Sequence, residues 1–232
     1  MAVKVAPHEK FPGVYWAKLE DGSRKLATLN LAPGRIVYGE RLVSYKGEEY
    51  RIWDPFRSKL AAAILNNLQT VPIRPEHKVL YLGAATGTTS SHVSDIVGHK
   101  GHVYCIEFAP RVMRELISNV CAYRPNMSPI LVDARFAENY RMLVETVDDI
   151  YCDIAQPEQA RILADNADMF LTPSGQVMLA IKSRSIDVTK APSEIYQQEI
   201  EVLKKRGFKV GEVINLEPYE KAHVMVVAEF KR

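Results

Sequence analysis

The sequence has little cysteine, little net charge and no long apolar run. Its three cysteines, Cys105, Cys121 and Cys152, are odd in number and include no CxxC pair, which argues against a disulfide framework and a zinc site. No apolar run approaches the roughly 18 residues of a membrane-spanning helix, and residues 1–10 lack the hydrophobic stretch of a signal peptide. These absences predict a cytoplasmic protein with reduced cysteines and no metal site.

The net charge is also small, at +2 from 30 basic and 28 acidic residues. This balance disfavours a protein that holds nucleic acid unaided through counterion release. A modest basic excess lies in the first sixty residues, with 11 Lys and Arg against 7 Asp and Glu. It is a candidate surface for nucleic acid or for a partner protein, although surface solubility explains it about as well. The content of 47% apolar and 25% charged residues indicates a folded globular chain of 232 residues.

Residues 1–55 are predicted to form a small antiparallel β domain. Short β-prone runs alternate there with turn signals such as Asp21-Gly22 and Pro33-Gly34. An alanine-rich helix is predicted to begin at Ser58, so the boundary to a second domain, residues 56–232, is expected near Asp54. The predicted strands of the first domain are Val14 to Leu19, Lys25 to Leu29, Arg41 to Tyr45 and Glu49 to Trp53.

Strand-like and helical runs alternate after residue 78, which predicts an α/β fold with βαβ units and ligands at the carboxyl ends of the strands. The last two strands are joined by a connection too short for a helical crossover, so this final pair should be antiparallel. The predicted strands are Lys78 to Gly83, His102 to Glu107, Ile130 to Asp133, Asp149 to Asp153, Gln176 to Lys182, Gly207 to Leu216 and His223 to Glu229. The predicted helices lie near Thr89 to Val97, Ala109 to Tyr123, Glu158 to Phe170 and Ser193 to Arg206.

The turn after the first of these strands is a candidate nucleoside site. Gly83 and Gly87 allow a ligand to approach the backbone, and Thr88, Thr89 and Ser90 are candidate caps for the following helix. The alternative is a plain βα turn without a ligand. Ala85 takes the place of the second glycine of G-x-G-x-x-G, which weakens a dinucleotide interpretation.

Acidic residues end the next two strands. Glu107 follows Gly83 by 24 residues, a spacing at which a carboxylate accepts ribose hydroxyls. Asp133 follows the third strand and can accept the exocyclic amine of adenine while Phe108 packs on the ring. Each acid alone is more often a solvated strand end, but the coincidence at three successive strands predicts an adenosine pocket.

The fourth and fifth strands end near Asp153 and Lys182. The carboxyl ends of neighbouring parallel strands meet at one edge, so these two side chains are expected to face one another beside the pocket. A surface ion pair, worth about 0–1 kcal/mol, is the alternative.

Several segments of the chain resemble the fibrillarin family, the S-adenosylmethionine-dependent 2′-O-methyltransferases of box C/D ribonucleoprotein particles. The resemblance covers essentially the whole chain. The Gly/Arg-rich N-terminal extension of eukaryotic members is absent, so the resemblance is to the archaeal type. The segments that carry it are YLGAATGTTSSHVSDIVG, VYCIEFAPR, LVDAR, DDIYCDIAQPEQA, LAIKSRSID and LEPYEKAHVMV.

The resemblance implies a Rossmann-like methyltransferase sheet behind a small β-rich domain, and it also implies two sets of site residues. The catalytic set is Lys59, Asp153, Lys182 and His223. Without the resemblance, Lys59 and His223 are weak choices, since Lys59 is more often a solvated helix residue and His223 a capped strand start. The set implied to bind S-adenosylmethionine is Gly83, Ala84, Thr88, Thr89, Glu107, Phe108, Asp133, Ala134, Asp153, Ile154, Ala155 and Gln156.

The implied reaction is in-line attack of a ribose 2′-hydroxyl on the sulfonium methyl group. Lys182 is the candidate base, provided that burial or the charge of Lys59 lowers its pKa; Asp153 orients Lys182, and His223 positions the ribose. No aromatic stacking platform or basic groove for RNA is evident in the sequence. The resemblance therefore implies help from a box C/D guide RNA paired to its rRNA or tRNA target, a Nop-domain scaffold protein and a kink-turn-binding protein.

Two other functions are compatible with this sequence. A small-molecule or protein carboxyl methyltransferase would share the adenosine pocket, but a carboxylate nucleophile needs no strong base such as Lys182. A non-catalytic scaffold of a ribonucleoprotein could retain the cofactor fold, although the presence of both Asp153 and Lys182 argues against decay.

Overall fold

The computed structural model describes residues 2–231, whose strands form two sheets. The first sheet is antiparallel throughout, in the order β1-β2-β3-β5-β4. Four of its strands were predicted, with small shifts at their ends. The first strand was missed because Val5 is its only buried residue. The strands are β1 (Lys4–Pro7), β2 (Val14–Lys18), β3 (Arg24–Leu29), β4 (Leu42–Tyr45) and β5 (Glu48–Ile52).

The second sheet has seven strands, and six α-helices accompany it in the described part of the chain. Its strands are β6 (Lys78–Leu82), β7 (His102–Glu107), β8 (Met127–Leu131), β9 (Val147–Cys152), β10 (Leu171–Lys182), β11 (Phe208–Asn215) and β12 (His223–Phe230). The helices are α1 (Lys59–Leu65), α2 (Thr88–Val97), α3 (Pro110–Asn119), α4 (Gln159–Phe170), α5 (Ser183–Ile186) and α6 (Pro192–Lys205).

The topology of the second sheet confirms the predicted fold class. Its order is β11-β12-β10-β9-β6-β7-β8, and the neighbours from β10 to β8 are all parallel. The last strand, β12, runs antiparallel to both β10 and β11. Because it runs in the opposite direction, the first residue of β12 lies at the same edge as the carboxyl ends of the parallel strands.

Alternating side chains of the central strands enter two cores on opposite faces of this sheet. Leu80 and Leu82 lie in one core, and Val79 and Tyr81 lie in the other, as the period of two of a β-strand requires. Trp53, which follows the first sheet, packs in the second of these cores. The two sheets therefore share packed apolar surface, and the division into two domains at residue 55 stays a prediction.

Several elements differ from the predicted ones, and β10 begins at Leu171 rather than at Gln176. The third strand of the large sheet begins at Met127 and ends at Leu131 rather than spanning 130–133. Pro129 disguised this strand, but β8 is an edge strand, where proline is tolerated. The helix predicted to reach Tyr123 ends at Asn119 and continues as a short 3-10 turn. A 3-10 segment at Ala137–Leu143 was not predicted.

A buried network of charged side chains joins the first sheet to α2. Arg51 Nη1 donates to Asp95 Oδ2 at 2.8 Å, and Arg51 Nε donates to Glu40 Oε1 at 2.7 Å. Arg124 pairs with the other oxygen of Asp95. All four side chains are at most 1% exposed. We call Glu40, Arg51, Asp95 and Arg124 the sheet–helix network.

His92 lies beside this network and is fully paired. Thr28 Oγ1 and the Tyr38 hydroxyl each lie 2.8 Å from one of its ring nitrogens, and Trp53 stacks on the ring at a centroid distance of 4.8 Å. Burial, with the charges of Arg51 and Arg124, holds the pKa of His92 well below its ordinary value. The imidazole is therefore neutral in the folded protein.

Cys105 and Cys152 are buried, Cys121 is half-buried, and all three thiols are free. Burial raises the pKa of Cys152 to about 12, so this thiol is not a nucleophile at neutral pH. No helix in residues 2–231 combines the length and the apolar character needed to cross a membrane.

Candidate active site

A cleft opens at the carboxyl edge of the parallel strands, where α/β sheets bind ligands. Its walls are the turns that follow β6, β7, β8 and β9, together with the end of β10. The lining residues that were predicted are Gly83, Glu107, Phe108, Asp133, Ala134, Asp153, Ile154, Ala155, Gln156 and Lys182. The lining residues that were not predicted are Ala85, Ile106, Val132 and Arg135. Five predicted site residues are outside this lining: Lys59, Ala84, Thr88, Thr89 and His223.

Glycine is required at both positions singled out in the first turn. Gly83 has φ +81°, and a Cβ there would lie 2.9 Å from the backbone oxygen of Asp153. Gly87 has φ +98°, and a Cβ there would lie 2.7 Å from Val120. The absence of a side chain at Gly83 allows the turn after β6 to pack against the turn after β9. The absence of a side chain at Gly87 allows the start of α2 to pack against Val120, the residue after α3.

The predicted side-chain cap of α2 is wrong. Gly87 occupies the N-cap position, and no side chain forms a capping hydrogen bond. Thr89 is buried, and its hydroxyl donates to Ser58 Oγ at 3.0 Å instead. The close approach of α3 selects glycine at the cap, a tertiary constraint that turn chemistry alone does not reveal.

Glu107 is buried at the end of β7 and organises the turns around it. Its two carboxylate oxygens accept from the backbone N–H groups of Ala85 at 3.1 Å and Ala109 at 2.9 Å. These bonds fix the loop after β6 and the loop after β7 relative to each other. A carboxylate has about four lone-pair sites, so acceptor capacity remains for a ligand in the cleft.

Asp133 and Phe108 line the part of the cleft formed by the turns after β8 and β7. Arg135 holds Asp133 through a 2.7 Å ion pair and its backbone N–H, and the guanidinium lowers the pKa of that carboxyl. Phe108 is 59% exposed although it lines the cleft. An exposed aromatic face beside an acceptor matches the two requirements of a purine, an apolar surface for the ring and an acceptor for an amine.

Three charged side chains meet at the end of the cleft nearest β10. Lys59 Nζ donates to Asp153 Oδ2 at 3.3 Å, and Lys182 Nζ lies 3.0 Å from Asp153 Oδ1. Lys182 Nζ also donates to the backbone oxygen of Asp153 at 2.9 Å. The three side chains are between 14% and 17% exposed. The predicted encounter of Asp153 with Lys182 is therefore present, and Lys59, at the start of α1, joins it.

One oxygen of this cluster lacks a hydrogen-bond partner. Asp153 Oδ1 is buried, and Lys182 approaches it without forming a hydrogen bond. The charge of Lys182 stabilises this oxygen, but its hydrogen-bonding capacity stays unused. In a ligand-binding cleft, this orphaned acceptor fits a ligand that brings an N–H donor or a positive charge.

His223 lies next to Lys182 because the two residues pair across the antiparallel strands β10 and β12. Its Nδ1 donates to the backbone oxygen of Lys221 at 2.7 Å. Burial lowers the pKa of His223, and the charge of Lys59 lowers it further. The signal for His223 was present in the sequence, since the first residue of an antiparallel last strand must reach the carboxyl edge.

The cluster is held by residues that sequence reasoning missed. Gln159 is buried; its Oε1 accepts from Lys182 N at 3.0 Å, and its Nε2 donates to Ile154 O at 3.0 Å. Ser58 caps α1, whose first residue is Lys59. The Thr89 to Ser58 bond therefore connects the start of α2 to the start of α1. No local pattern distinguishes Gln159 or Ser58 from ordinary helix-start residues.

The whole chain is similar in sequence to proteins of one family. A profile of the Fibrillarin family matches residues 5–232. The fibrillarin-like rRNA/tRNA 2′-O-methyltransferase of Staphylothermus marinus is 61% identical over 230 residues, covering 99% of this chain and 98% of that protein.

Two solved structures are similar over nearly their full length. Aeropyrum pernix fibrillarin, crystallised with natively bound S-adenosyl-L-methionine, has a TM-score of 0.92 and 52% identity and covers 98% of this chain and 100% of its own. A chain of a fibrillarin/Nop5p complex has a TM-score of 0.84 and 37% identity and covers 97% of this chain and 100% of its own.

Proposed function

Because the chain belongs to the fibrillarin family, we propose that it is the catalytic subunit of a guided RNA methyltransferase. It transfers a methyl group from S-adenosylmethionine to ribose 2′-hydroxyls of rRNA and tRNA. The observation that carries this proposal is the half-buried cluster of Lys59, Asp153 and Lys182 at the end of a cleft suited to a nucleoside.

The residues present fit S-adenosylmethionine. Glu107 keeps free acceptor capacity for ribose hydroxyls, and Asp133 beside the exposed ring of Phe108 suits adenine. Gly83 leaves backbone space where a side chain would collide with Asp153. The orphaned Asp153 Oδ1 suits a positively charged amine. We propose that the remaining contacts come from the turns that hold Ala84, Thr88, Thr89, Ala134, Ile154, Ala155 and Gln156.

When bound, S-adenosylmethionine supplies a methyl group activated by a sulfonium. We assign to Lys182, in its neutral amine form, the uptake of the 2′-hydroxyl proton, to Asp153 the orientation of Lys182, and to His223 the positioning of the ribose. Lys59 holds the second oxygen of Asp153 in place. A general base contributes typically about 10²–10⁴-fold, whereas orientation of two reactants can contribute about 7–11 kcal/mol. Positioning by the cluster therefore outweighs proton removal.

We propose that target selection lies outside this chain. The net charge of +2 supports little independent RNA affinity. A box C/D guide RNA paired to the target would supply the sequence information, and a kink-turn-binding protein would hold that RNA. The fibrillarin/Nop5p complex supports a Nop-domain protein as the scaffold. The chain would then act inside the cell, as part of this particle.

The test is transfer of labelled methyl from S-adenosylmethionine to target RNA in a particle reconstituted with guide RNA and scaffold protein. The proposal expects label on the ribose of one nucleotide, which moves when the guide sequence is changed. Label on a base, or efficient site-specific transfer by the chain without guide and partners, would contradict it. Label on a carboxylate of a protein would favour the carboxyl methyltransferase alternative.

A further inference from the structure

An exposed aromatic side chain lies in the segment that leads into α1 and Lys59. Phe56 is 62% exposed, and its ring packs edge to face against Tyr219 at a centroid distance of 5.1 Å. Tyr219 is partly buried against the core. The support of Tyr219 fixes the direction of the Phe56 ring while leaving most of its surface to solvent.

Phe56 and Tyr219 are each connected along the chain to a residue of the proposed catalytic set. Phe56 lies three residues before Lys59, and Tyr219 lies four residues before His223. Asn66, which follows α1, donates to the backbone oxygens of Asn215 and Glu217 at 2.7 and 2.8 Å. These bonds tie the end of α1 to the segment before β12, and the Phe56–Tyr219 contact ties the segment before α1 to it. The two segments lead into Lys59 and His223, both proposed catalytic residues.

Two cations extend this surface past the end of β10. Ser183 Oγ donates to the backbone oxygen of Ala222 at 3.0 Å, which joins the segments after Lys182 and before His223. The sequence neighbours of this pair, Arg184 and Lys221, are exposed, and within residues 2–231 neither has an ion-pair partner. We call Phe56, Tyr219, Arg184 and Lys221 the rim.

We propose that the rim is an RNA contact surface, at which Phe56 packs against a base of the RNA that carries the target ribose and the two cations contact its phosphates. This inference rests on the proposed function and adds a substrate-positioning site to it. Every base has a π-face, and stacking on an aromatic side chain is tolerant of sequence. Such a contact suits an enzyme that must accept many target sequences.

The first experiment compares Phe56→Ala with Phe56→Trp in the reconstituted particle. Base stacking on an aromatic residue is worth about 1–3 kcal/mol, so Phe56→Ala should lower kcat/KM for target RNA at least about five-fold. Phe56→Trp should retain at least half of the wild-type value, because it preserves an aromatic face. The affinity for S-adenosylmethionine should stay unchanged in both variants. Tyr123→Ala is the control, since Tyr123 is also an exposed aromatic but packs on Arg35.

The second experiment measures the salt dependence of RNA association for the double variant Arg184→Gln and Lys221→Gln. Each lost phosphate contact should reduce the slope of log affinity against log salt by about 0.7–0.9. The charge-matched control, Lys18→Gln with Lys46→Gln, removes two exposed lysines of the first sheet. A reduced slope for the control and an unchanged slope for the rim variant would overturn the proposal and place the RNA on the first sheet.

Two other outcomes would also overturn the rim proposal. One is an unchanged kcat/KM for Phe56→Ala. The other is loss of scaffold-protein association by Phe56→Ala, which would make the rim a protein interface. In either case wild-type methylation of ribose would persist, so the proposed function would stand. Absence of methyl transfer by the wild-type particle is the separate result that would reject the proposed function.

Discussion

The sheet–helix network and the cluster of Lys59, Asp153 and Lys182 both join carboxylates to basic side chains, but only the network is fully hydrogen-bonded. In the network, Asp95 forms ion pairs with Arg51 and Arg124, and all the charged groups are buried and paired. In the cluster, Asp153 faces two lysines, yet its Oδ1 lacks a hydrogen bond and the groups remain partly exposed.

This difference separates a structural role from a chemical one. A saturated buried network has no capacity left for a ligand, and breaking it leaves an uncompensated charge. A cluster with an unused acceptor at a cleft retains that acceptor and two partly exposed lysine side chains for a ligand. Substitutions in the first region should therefore change stability, and substitutions in the second should change binding and rate.

The largest effect is expected for Lys182→Ala. Lys182→Ala removes the proposed base and its hydrogen bond to the backbone oxygen of Asp153. The methyl-transfer rate should fall by about 10²–10⁴-fold. The affinity for S-adenosylmethionine should change little, because the nucleoside part of the cleft is untouched. Single-turnover transfer and cofactor titration measure the two quantities. A near-normal rate would remove Lys182 from the mechanism.

In the network, Arg51→Leu should lower the free energy of unfolding by about 3–5 kcal/mol, because Glu40 and Asp95 lose a buried partner. The transfer rate per folded molecule should be retained below the melting transition. Arg24→Leu is the matched control, since its pair with Glu9 is solvent-exposed and its loss should change stability little. Equal losses of stability in the two variants, measured by denaturant unfolding, would erase the distinction between the regions.

A smaller effect is expected for Gly83→Ala. Its new Cβ would displace the backbone of Asp153 and force a side chain into positive φ, costing about 1–3 kcal/mol. Cofactor affinity and transfer rate should both fall. Gly39→Ala, at φ +88° with open space around it, has the backbone strain without the collision. If Gly39→Ala impairs cofactor binding equally, strain rather than the contact with Asp153 explains the effect.

The smallest expected effect is a pH dependence from His92. Its folded-state pKa is lowered, so the unfolded chain binds the proton more readily as the pH falls below about 6.5. The free energy of unfolding should therefore decrease in acid, by at most about 1.4 kcal/mol per pH unit from this group. His92→Gln should flatten that part of the stability curve. Parallel curves for wild type and variant would show that His92 is not the group responsible.

The sequence predicted the large sheet well because its strands are apolar runs separated by helices. The encounter of Asp153 with Lys182 was predictable, since the ends of parallel strands meet at one edge. The cap at Gly87, the support by Gln159 and the rim at Phe56 were not, because each depends on contact with a distant segment. The position of β8 was missed because Pro129 hides an edge strand.

Substitution of Asp153 tests the proposed site most directly, since Asp153 is proposed both to bind the cofactor and to orient Lys182. Cofactor titration and single-turnover methyl transfer should be measured on Asp153→Ala and Asp153→Asn, with wild type alongside. We expect both substitutions to weaken S-adenosylmethionine binding and also to slow methyl transfer at saturating cofactor. Unchanged affinity and unchanged rate in folded variants would contradict it.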